Sequence, residues 1–284
     1  MRFISLLILL MALGGGPAPL PAGGGESLAQ RQLSRLVAEE NRLVARHMAQ
    51  GGEMQDEDWE PRFQHLARRY EAFVQDHPEF VPGLVAYGLF LNRLGYEEEA
   101  MPLFLQANEL DPHIPVVKNQ LGNYVRGQGQ WDSALGYYLA AVELEPEEPL
   151  YHFQAGHLLL NKREEILRND VLEEEALDRQ MLEHFHTAAR LDPEENQYGY
   201  HLGLAFYAIA EPRWEDALAH WRRMEDRVAP GLEKEAVLLH QARVLWNLED
   251  PGAARALLDR VSNPVLERNR RELAEKIRAA EEEK

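Results

Sequence analysis

Residues 81–114 read VPGLVAYGLFLNRLGYEEEAMPLFLQANELDPHI, and residues 115–148 read PVVKNQLGNYVRGQGQWDSALGYYLAAVELEPEE. Both stretches are 34 residues long, and the second repeats the first at a set of fixed positions. The same interval separates Pro78, Pro112 and Pro146; Gly88, Gly122 and Gly156; Ala100 and Ala134; Phe104 and Tyr138; and Ala107 and Ala141. A fixed period of this size predicts a solenoid of stacked helical hairpins, in which each unit contacts its neighbours.

Small residues at fixed positions predict how each hairpin packs. Gly88 and Gly122 lie inside the first helix of their hairpins, where a missing side chain lets the second helix come close. Gly95 falls in the turn. The proline that closes each unit cannot continue a helix, so it sets the next turn.

The sequence divides into four segments. Residues 1–25 are predicted to be a signal peptide or an N-terminal leader. Residues 26–78 are predicted to be a degenerate first helix pair with a long loop, in which Ser27 can cap the first helix and residues 53–58 form an acidic loop. Residues 79–262 hold the repeat array, with an extended hairpin at about 162–179. Residues 263–284 are predicted to form a C-terminal capping helix, because an open array needs a polar outer face at its end.

The leader has the pattern of a secretory signal. Arg2 gives it a positive start, and the apolar run from Ile4 to Leu13 ends at three glycines. Ten residues are too few for a bilayer-spanning helix, which needs about 20. We therefore expect an exported protein, periplasmic or secreted, with no membrane span in the mature chain. The alternative is that an uncleaved segment anchors the protein to a membrane.

Charge and composition narrow the functional classes. The chain has 30 Lys and Arg against 48 Asp and Glu, a net charge of −18. Such a protein repels nucleic acid and anionic membranes, so a basic peptide or protein is the better suited partner. The alternative is that the acidic residues only keep an elongated protein soluble.

No pattern in the sequence predicts chemistry. The absence of cysteine excludes disulfides, thiolate catalysis and cysteine–zinc sites. The eleven histidines include no His-Glu-x-x-His pattern, and the paired carboxylates lie in charge-rich helices that favour solvated faces. We therefore predict no metal, no cofactor and no enzymatic activity.

The third unit is longer than the others. Pro193 follows Pro146 by 47 residues, which leaves 13 extra residues within about Lys162 to Arg179. The insertion is helical in character, so we expect both helices of this hairpin to be lengthened and to project from the stack. Its apolar side chains form either a docking arm for another protein or the surface over which the two longer helices cover each other.

Written out in full, these units resemble the tetratricopeptide repeat (TPR) family. The consensus positions of residues 81–114 hold Leu84, Tyr87, Gly88, Leu91, Gly95, Ala100, Phe104, Ala107 and Pro112. The resemblance covers roughly residues 59–260. It implies an all-α, right-handed solenoid of antiparallel helix pairs, with about five repeats and the C-terminal capping helix. It also implies a non-enzymatic scaffold that binds proteins or peptides through its concave face.

The resemblance further implies which side chains line that face. They are Asn92, Asn119, Asn123, Arg126, Phe153, His157, Tyr200, Leu204 and Tyr207. Amide side chains both donate and accept hydrogen bonds, which suits an extended peptide backbone, and aromatic anchors suit the centre of an interface. The alternatives are that Phe153 and Tyr200 belong to the core and that the Asn119–Asn123 pair is merely solvated.

The expected function is therefore that of a protein- or peptide-binding scaffold of the cell envelope or periplasm. One branch of the family holds a C-terminal carboxylate with a clamp that begins with lysine, but Val85 and Asn119 occupy that place here. The alternative function is a self-associating structural component or an accessory subunit of an envelope complex. The sequence leaves the oligomeric state open.

Overall fold

The computed structural model describes residues 27–49 and 59–282, and this part of the chain is entirely helical apart from turns. The predicted all-α class is therefore confirmed. The predicted leader at residues 1–25 and the acidic loop at 53–58 lie outside the described residues. The helices are α1 Leu28–Ala49, α2 Trp59–Asp76, α3 Val81–Arg93, α4 Glu97–Leu110, α5 Pro115–Gly127, α6 Trp131–Leu144, α7 Pro149–Asn161, α8 Arg163–Arg168, α9 Glu174–Leu191, α10 Asn196–Ala205, α11 Trp214–Arg227, α12 Leu232–Asn247, α13 Pro251–Leu258 and α14 Glu267–Glu282.

The described residues form two compact units, the first ending at Tyr124 and the second beginning at Val125, and the boundary falls within α5. In the first unit, α1 packs on α2, α2 on α3, and α3 on α4. Ser27 begins α1 with a capping box, in which its Oγ accepts the Gln30 backbone N–H at 3.1 Å and its own N–H donates to Gln30 Oε1 at 2.8 Å. The predicted capping role of Ser27 is confirmed.

A buried carboxylate joins three helices of the first unit. Glu40 of α1 is 4% exposed. Tyr70 Oη of α2 donates to Glu40 Oε2 at 2.5 Å, and Arg93 of α3 forms an ion pair with Glu40 Oε1. Burial raises the pKa of Glu40, while the Arg93 charge opposes that rise. This contact fixes the degenerate first pair to the regular repeats.

The second unit contains the rest of the array. Successive helices pack as pairs, α7 with α9, α11 with α12, and α12 with α13. Asn263 accepts the Val265 backbone N–H at 3.0 Å and so begins a short 3₁₀ turn, Pro264–Leu266, ahead of α14. Leu273 and Ile277 of α14 are buried, which seats this last helix on the α11–α13 core.

The insertion folds differently from the prediction that both helices of the hairpin are lengthened. The first helix, α7, ends at Asn161 after 13 residues, as in the regular units. The extra residues instead form the separate helix α8 and one additional turn of α9, which has 18 residues against 14 in α4 and α6. Lys162, with φ −108° and ψ 10°, ends α7, and Asp170, whose φ of 52° cannot continue a helix, separates α8 from α9.

The apolar side chains of the insertion lie in the core. Ile166 and Leu177 are fully buried, and Leu167 and Leu172 pack against the same cluster, while Val171 is exposed. This packing favours the interpretation that the insertion covers its own hairpin over the interpretation that it is a docking arm.

Asp178 of α9 anchors the insertion. Its buried carboxylate accepts hydrogen bonds from Arg163 at the start of α8, at 3.0 Å to Oδ1. Its Oδ2 accepts the backbone N–H of Ala210 at 2.8 Å. Asp178 thus holds together α8, α9 and the turn that follows α10.

The expected close approach of paired helices at glycine is confirmed. A Cβ built on Gly88 would lie 2.7 Å from the Phe104 ring, and one built on Gly203 of α10 would lie 2.4 Å from the Trp221 ring of α11. Both rings are buried. In these two hairpins the glycine of the first helix therefore makes room for an aromatic side chain of the second.

We expect Gly203→Ala to lower the free energy of unfolding by about 2 kcal/mol, because the buried Trp221 ring would have to move. The control is Gly136→Ala on the exposed side of α6, where an added Cβ meets nothing within 4 Å. This control should stabilise the protein by about 0.5–1 kcal/mol, since alanine favours helix. Urea denaturation checks both values, and equal changes in the two variants would contradict the packing argument.

Candidate functional site

The predicted partner-binding residues fall in both units. Asn92, Asn119 and Asn123 belong to the first unit, and Arg126, Phe153, His157, Tyr200, Leu204 and Tyr207 belong to the second. The residues of the second unit lie on or next to α7 and α10, the first helices of their hairpins, or at the end of α5.

The three asparagines of the first unit differ in exposure. The prediction that Asn119 lies on an open surface is wrong, because Asn119 belongs to the buried side of α5 and is 1% exposed. Its Oδ1 has no hydrogen-bond partner among the described residues. Asn92 is half-buried and donates from Nδ2 to Gln120 Oε1 at 2.9 Å, and Asn123 is also half-buried. The first unit therefore offers a partner less amide surface than the sequence implies.

The second unit carries a connected row of rings, which we call the aromatic–imidazole belt. It consists of Phe153, His157, Tyr200, His201, Tyr207 and His240. Ring centroids are 5.0 Å apart between Phe153 and His201, 5.3 Å between His157 and His201, and 5.2 Å between Tyr200 and His240. The belt thus connects α7, α10 and α12, and it places Phe153, His157, Tyr200 and Tyr207 in one cluster.

Exposure divides the belt into a base and a surface. Phe153 and His240 are 7% and 9% exposed, so the alternative that assigned Phe153 to the core fits its burial. The other four rings are half-buried, as is Leu204, which packs on the neighbouring core cluster. Half-buried rings on a rigid base can contact a partner without having to be ordered by it.

His240 fixes the two tyrosines of the belt. Its Nε2 lies 2.6 Å from Tyr200 Oη, its Nδ1 lies 2.7 Å from Tyr207 Oη, and its ring stacks on Trp221 with centroids 4.7 Å apart. Burial, and then the Arg243 charge, lower the pKa of His240 to about 3. A neutral imidazole has one donor and one acceptor, so one tyrosine hydroxyl donates to the ring while the other accepts from it.

The remaining imidazoles of the belt are also held neutral. Burial is the main cause that lowers the pKa of His157 to about 4, and His201 and Arg126 add to it. Burial lowers the pKa of His201, against a hydrogen bond between Nδ1 and the Gln197 carbonyl at 2.9 Å. At neutral pH the belt therefore presents uncharged rings with hydrogen-bonding edges.

Two exposed arginines act on the belt. The Arg126 charge contributes to the lowered pKa of His157, and the Arg243 charge opposes the rise that burial causes in the pKa of Tyr200 and of Tyr207. Arg126 also donates from Nε to Tyr138 Oη at 3.0 Å. The surroundings of the belt are thus locally cationic although the whole chain carries −18.

Sequence reasoning missed His201 and His240. His201 follows Tyr200 directly in the chain, but the sequence does not show that its side chain points toward Phe153 and His157. His240 lies in the fifth, looser pair, where most of the consensus residues of the first two clear units are replaced. Its position in a continuous apolar stretch of α12 was the one available signal.

Outside the belt, two histidines of the second unit lie next to each other. His152 Nδ1 lies 3.1 Å from His184 Nδ1, and His152 Nε2 lies 2.9 Å from the Pro146 carbonyl. Burial, and then His152, lower the pKa of His184 to about 4. Within residues 27–49 and 59–282, no three His, Asp or Glu side chains are grouped so that they could hold a metal ion. Over the same residues, no helix combines the length and apolar character needed to cross a bilayer.

Comparison with known proteins identifies the fold. No family model and no curated protein matches the sequence. Among solved structures, YrrB, described as a TPR protein with an unusual peptide-binding site, has 14% identity and a TM-score of 0.58 over 76% of this chain and 99% of its own. PilF of Pseudomonas aeruginosa has 14% identity and a TM-score of 0.56, covering 81% of this chain and 91% of its own. PilW, described as a widely conserved type IV pilus biogenesis factor, has 11% identity and a TM-score of 0.55, covering 83% and 93%. The fold is TPR-like, as predicted.

Proposed function

We propose that this chain, which has a TPR-like fold, is a non-catalytic scaffold that binds a protein or an extended peptide along the aromatic–imidazole belt of its second unit. The observation that carries the proposal is the arrangement of half-buried rings on α7, on α10 and just after α10, which pack on the buried rings of Phe153 in α7 and His240 in α12. Aromatic side chains that are fixed in place supply large contact areas at low cost in conformational entropy.

The chemistry of the belt suits a peptide segment. Its rings are uncharged at neutral pH and provide apolar faces, while Tyr and His edges provide donors and acceptors for backbone groups. Arg126 and Arg243 add donors for carbonyl or carboxylate oxygens. YrrB has a peptide-binding site on a related fold, and this supports the class of ligand without giving its sequence.

The partner as a whole is proposed to be basic. The net charge of −18 creates a long-range field that attracts positive proteins and is screened by salt. We therefore expect the association rate to fall as ionic strength rises, while contacts at the belt determine the dissociation rate.

The proposed location is the cell envelope or periplasm. The signal-like pattern of residues 1–25 supports it, as does the similarity in fold to a type IV pilus biogenesis factor. Cell fractionation with N-terminal sequencing of the mature protein tests the proposal. An unprocessed chain recovered with cytosolic markers would contradict export.

Binding at the belt is tested with peptides selected from a random display library on the purified protein. We expect His157→Ala to weaken the selected peptides about fivefold to tenfold, because it removes a half-buried ring of the belt. The control is Tyr137→Ala, which removes a half-buried ring of α6 outside the belt and should change affinity less than about twofold.

Calorimetry measures both affinities, and circular dichroism confirms that both variants fold. If the two substitutions reduced peptide affinity equally, the peptide would bind outside the belt and the proposal would be wrong. Light scattering over a range of concentrations separates peptide binding from self-association, since a self-associating component would gain mass as its concentration rises.

A further inference from the structure

A second feature of the second unit has no role in the belt. It is a cavity of about 240 Å³ between α9, α10 and α11. None of its lining residues belongs to the belt, and its ionisable groups are His186, Arg190, Glu195, His220 and Arg227. The side chains of Ala189, Leu202 and Met224 supply apolar surface.

The cavity is lined by unpaired positive charge. Arg190 and Arg227 are exposed and form no ion pair with any residue of the described chain. The one carboxylate of the lining, Glu195, accepts the Gln197 backbone N–H at 3.0 Å from its Oε1. Two guanidinium groups without partners are unexpected in a chain in which acidic residues exceed basic ones by 18.

His220 lines the same cavity and has one ring nitrogen without a hydrogen-bond partner among the described residues. Its Nε2 donates to the Gly199 carbonyl at 2.7 Å, and its Nδ1 makes no hydrogen bond within residues 27–49 and 59–282. Burial lowers the pKa of His220, while the hydrogen bond to Gly199 raises it. Repulsion from Arg223, Arg227 and His186 lowers the pKa further. An anion in the cavity would offset that repulsion, favour protonation of Nδ1 and accept a hydrogen bond from the Nδ1–H so formed.

We propose that this cavity binds a small dianion of the phosphate class, held by the Arg190 and Arg227 guanidinium groups and by His220 Nδ1. Planar guanidinium groups match phosphate oxygens in pairs, and two of them balance a charge of −2. The cavity volume suits a group of the size of phosphate or pyrophosphate, with the apolar lining in contact with whatever the phosphate is attached to. The site is independent of the peptide-binding belt.

The test is calorimetric titration of the full-length protein with pyrophosphate, inorganic phosphate and acetate at low salt. We expect saturable binding of pyrophosphate and phosphate near one per chain, and binding of acetate at least about tenfold weaker. The double variant Arg190→Gln/Arg227→Gln should lose at least about tenfold in pyrophosphate affinity. The matched control Arg179→Gln/Arg222→Gln removes one exposed arginine from each of the same two helices, outside the cavity, and should change affinity less than about twofold.

Nuclear magnetic resonance of the His220 imidazole nitrogens gives a second readout. On addition of pyrophosphate we expect the pKa of His220 to rise, because a bound dianion favours the imidazolium form. An unchanged His220 signal at saturating pyrophosphate, no binding up to about 10 mM, an equal loss in both double variants, or tighter binding of acetate would each overturn the proposal.

The phosphate group can belong to a soluble molecule or to a lipid head group. Sedimentation with vesicles of phosphatidic acid, against vesicles of phosphatidylcholine, distinguishes the two sources. Pelleting with phosphatidic acid alone that pyrophosphate reverses would support a lipid source, and pyrophosphate binding without pelleting would support a soluble one.

Discussion

Lowering the pH from about 7 to about 4.5 is expected to destabilise the second unit by on the order of 5 kcal/mol. The cause is the burial of neutral imidazoles, which lowers the folded-state pKa of His184 to about 4 and of His240 to about 3. The unfolded chain has ordinary imidazole pKa values near 6.5, so it takes up protons first as the pH falls. Each of the two groups contributes about 2–3 kcal/mol of stability that is present above pH 6.5 and lost below it.

Other groups modify this dependence in known directions. Burial also lowers the pKa of His157, His201 and His220, which adds to the loss over the same pH window. Burial raises the pKa of Glu148, which acts in the opposite direction once the pH approaches the ordinary carboxylate range. The window between about pH 6.5 and 4.5 therefore reports mainly on the histidines.

Urea denaturation at intervals of pH, followed by tryptophan fluorescence, measures the effect. Trp221 stacks on His240 and reports on this part of the unit directly. His184→Gln should reduce the slope of unfolding free energy against pH by up to one proton, or about 1.4 kcal/mol per pH unit. His113→Gln, whose histidine side chain is 78% exposed, should leave the slope unchanged. A flat profile down to pH 4.5 would show that these imidazoles are not buried as described.

Replacing Glu40 by alanine is expected to lower the stability of the first unit by about 3–5 kcal/mol. The carboxylate is 4% exposed and is the shared acceptor for Tyr70 and Arg93. Its removal leaves the Arg93 guanidinium, 17% exposed, without its partner, and an unpaired buried charge is costly. Because Glu40 lies on α1, the variant should also release that helix to proteases.

Two controls separate the ion pair from its surroundings. Glu272→Ala breaks the pair with Arg268, whose side chains are 57% and 87% exposed, and should cost no more than about 1 kcal/mol. The double variant Glu40→Leu/Arg93→Met removes both charges and should recover most of the stability, since a buried pair contributes little over apolar residues of similar size. Denaturation and limited proteolysis measure all three variants, and a double variant as unstable as Glu40→Ala would contradict the charge argument.

The repeats were predictable because local signals agree with each other. Glycine at 88, proline at 112 and apolar residues at helical spacing each predict the same hairpin, and α3 and α4 lie within residues 81–114 on either side of the predicted turn at Gly95. The TPR-like fold followed from the register of two units alone. The predicted start of α1 at Ser27 rested on a capping pattern, which is also local.

Contacts between distant residues were not predictable from the same signals. Hydrophobic periodicity marks the buried face of a helix but does not say which polar residue lies within it, so the burial of Asn119 and of Glu40 was missed. Glu40 and Arg93 are 53 residues apart in the chain. His240 lies in the loosest repeat, where most consensus residues are replaced and give little guide to its position. The sequence therefore predicted part of the belt but not the residue that fixes it.

The carboxylate of Asp178 makes the position of the fourth repeat depend on the long third repeat. It binds Arg163 of the added segment and also the main chain of Ala210, three positions beyond Tyr207. Trimming that segment back to the regular length would remove one tether of Asp178 and loosen the bend that presents the Tyr207 ring. Residues 162–213 should therefore be kept together when this repeat is grafted, shortened or exchanged.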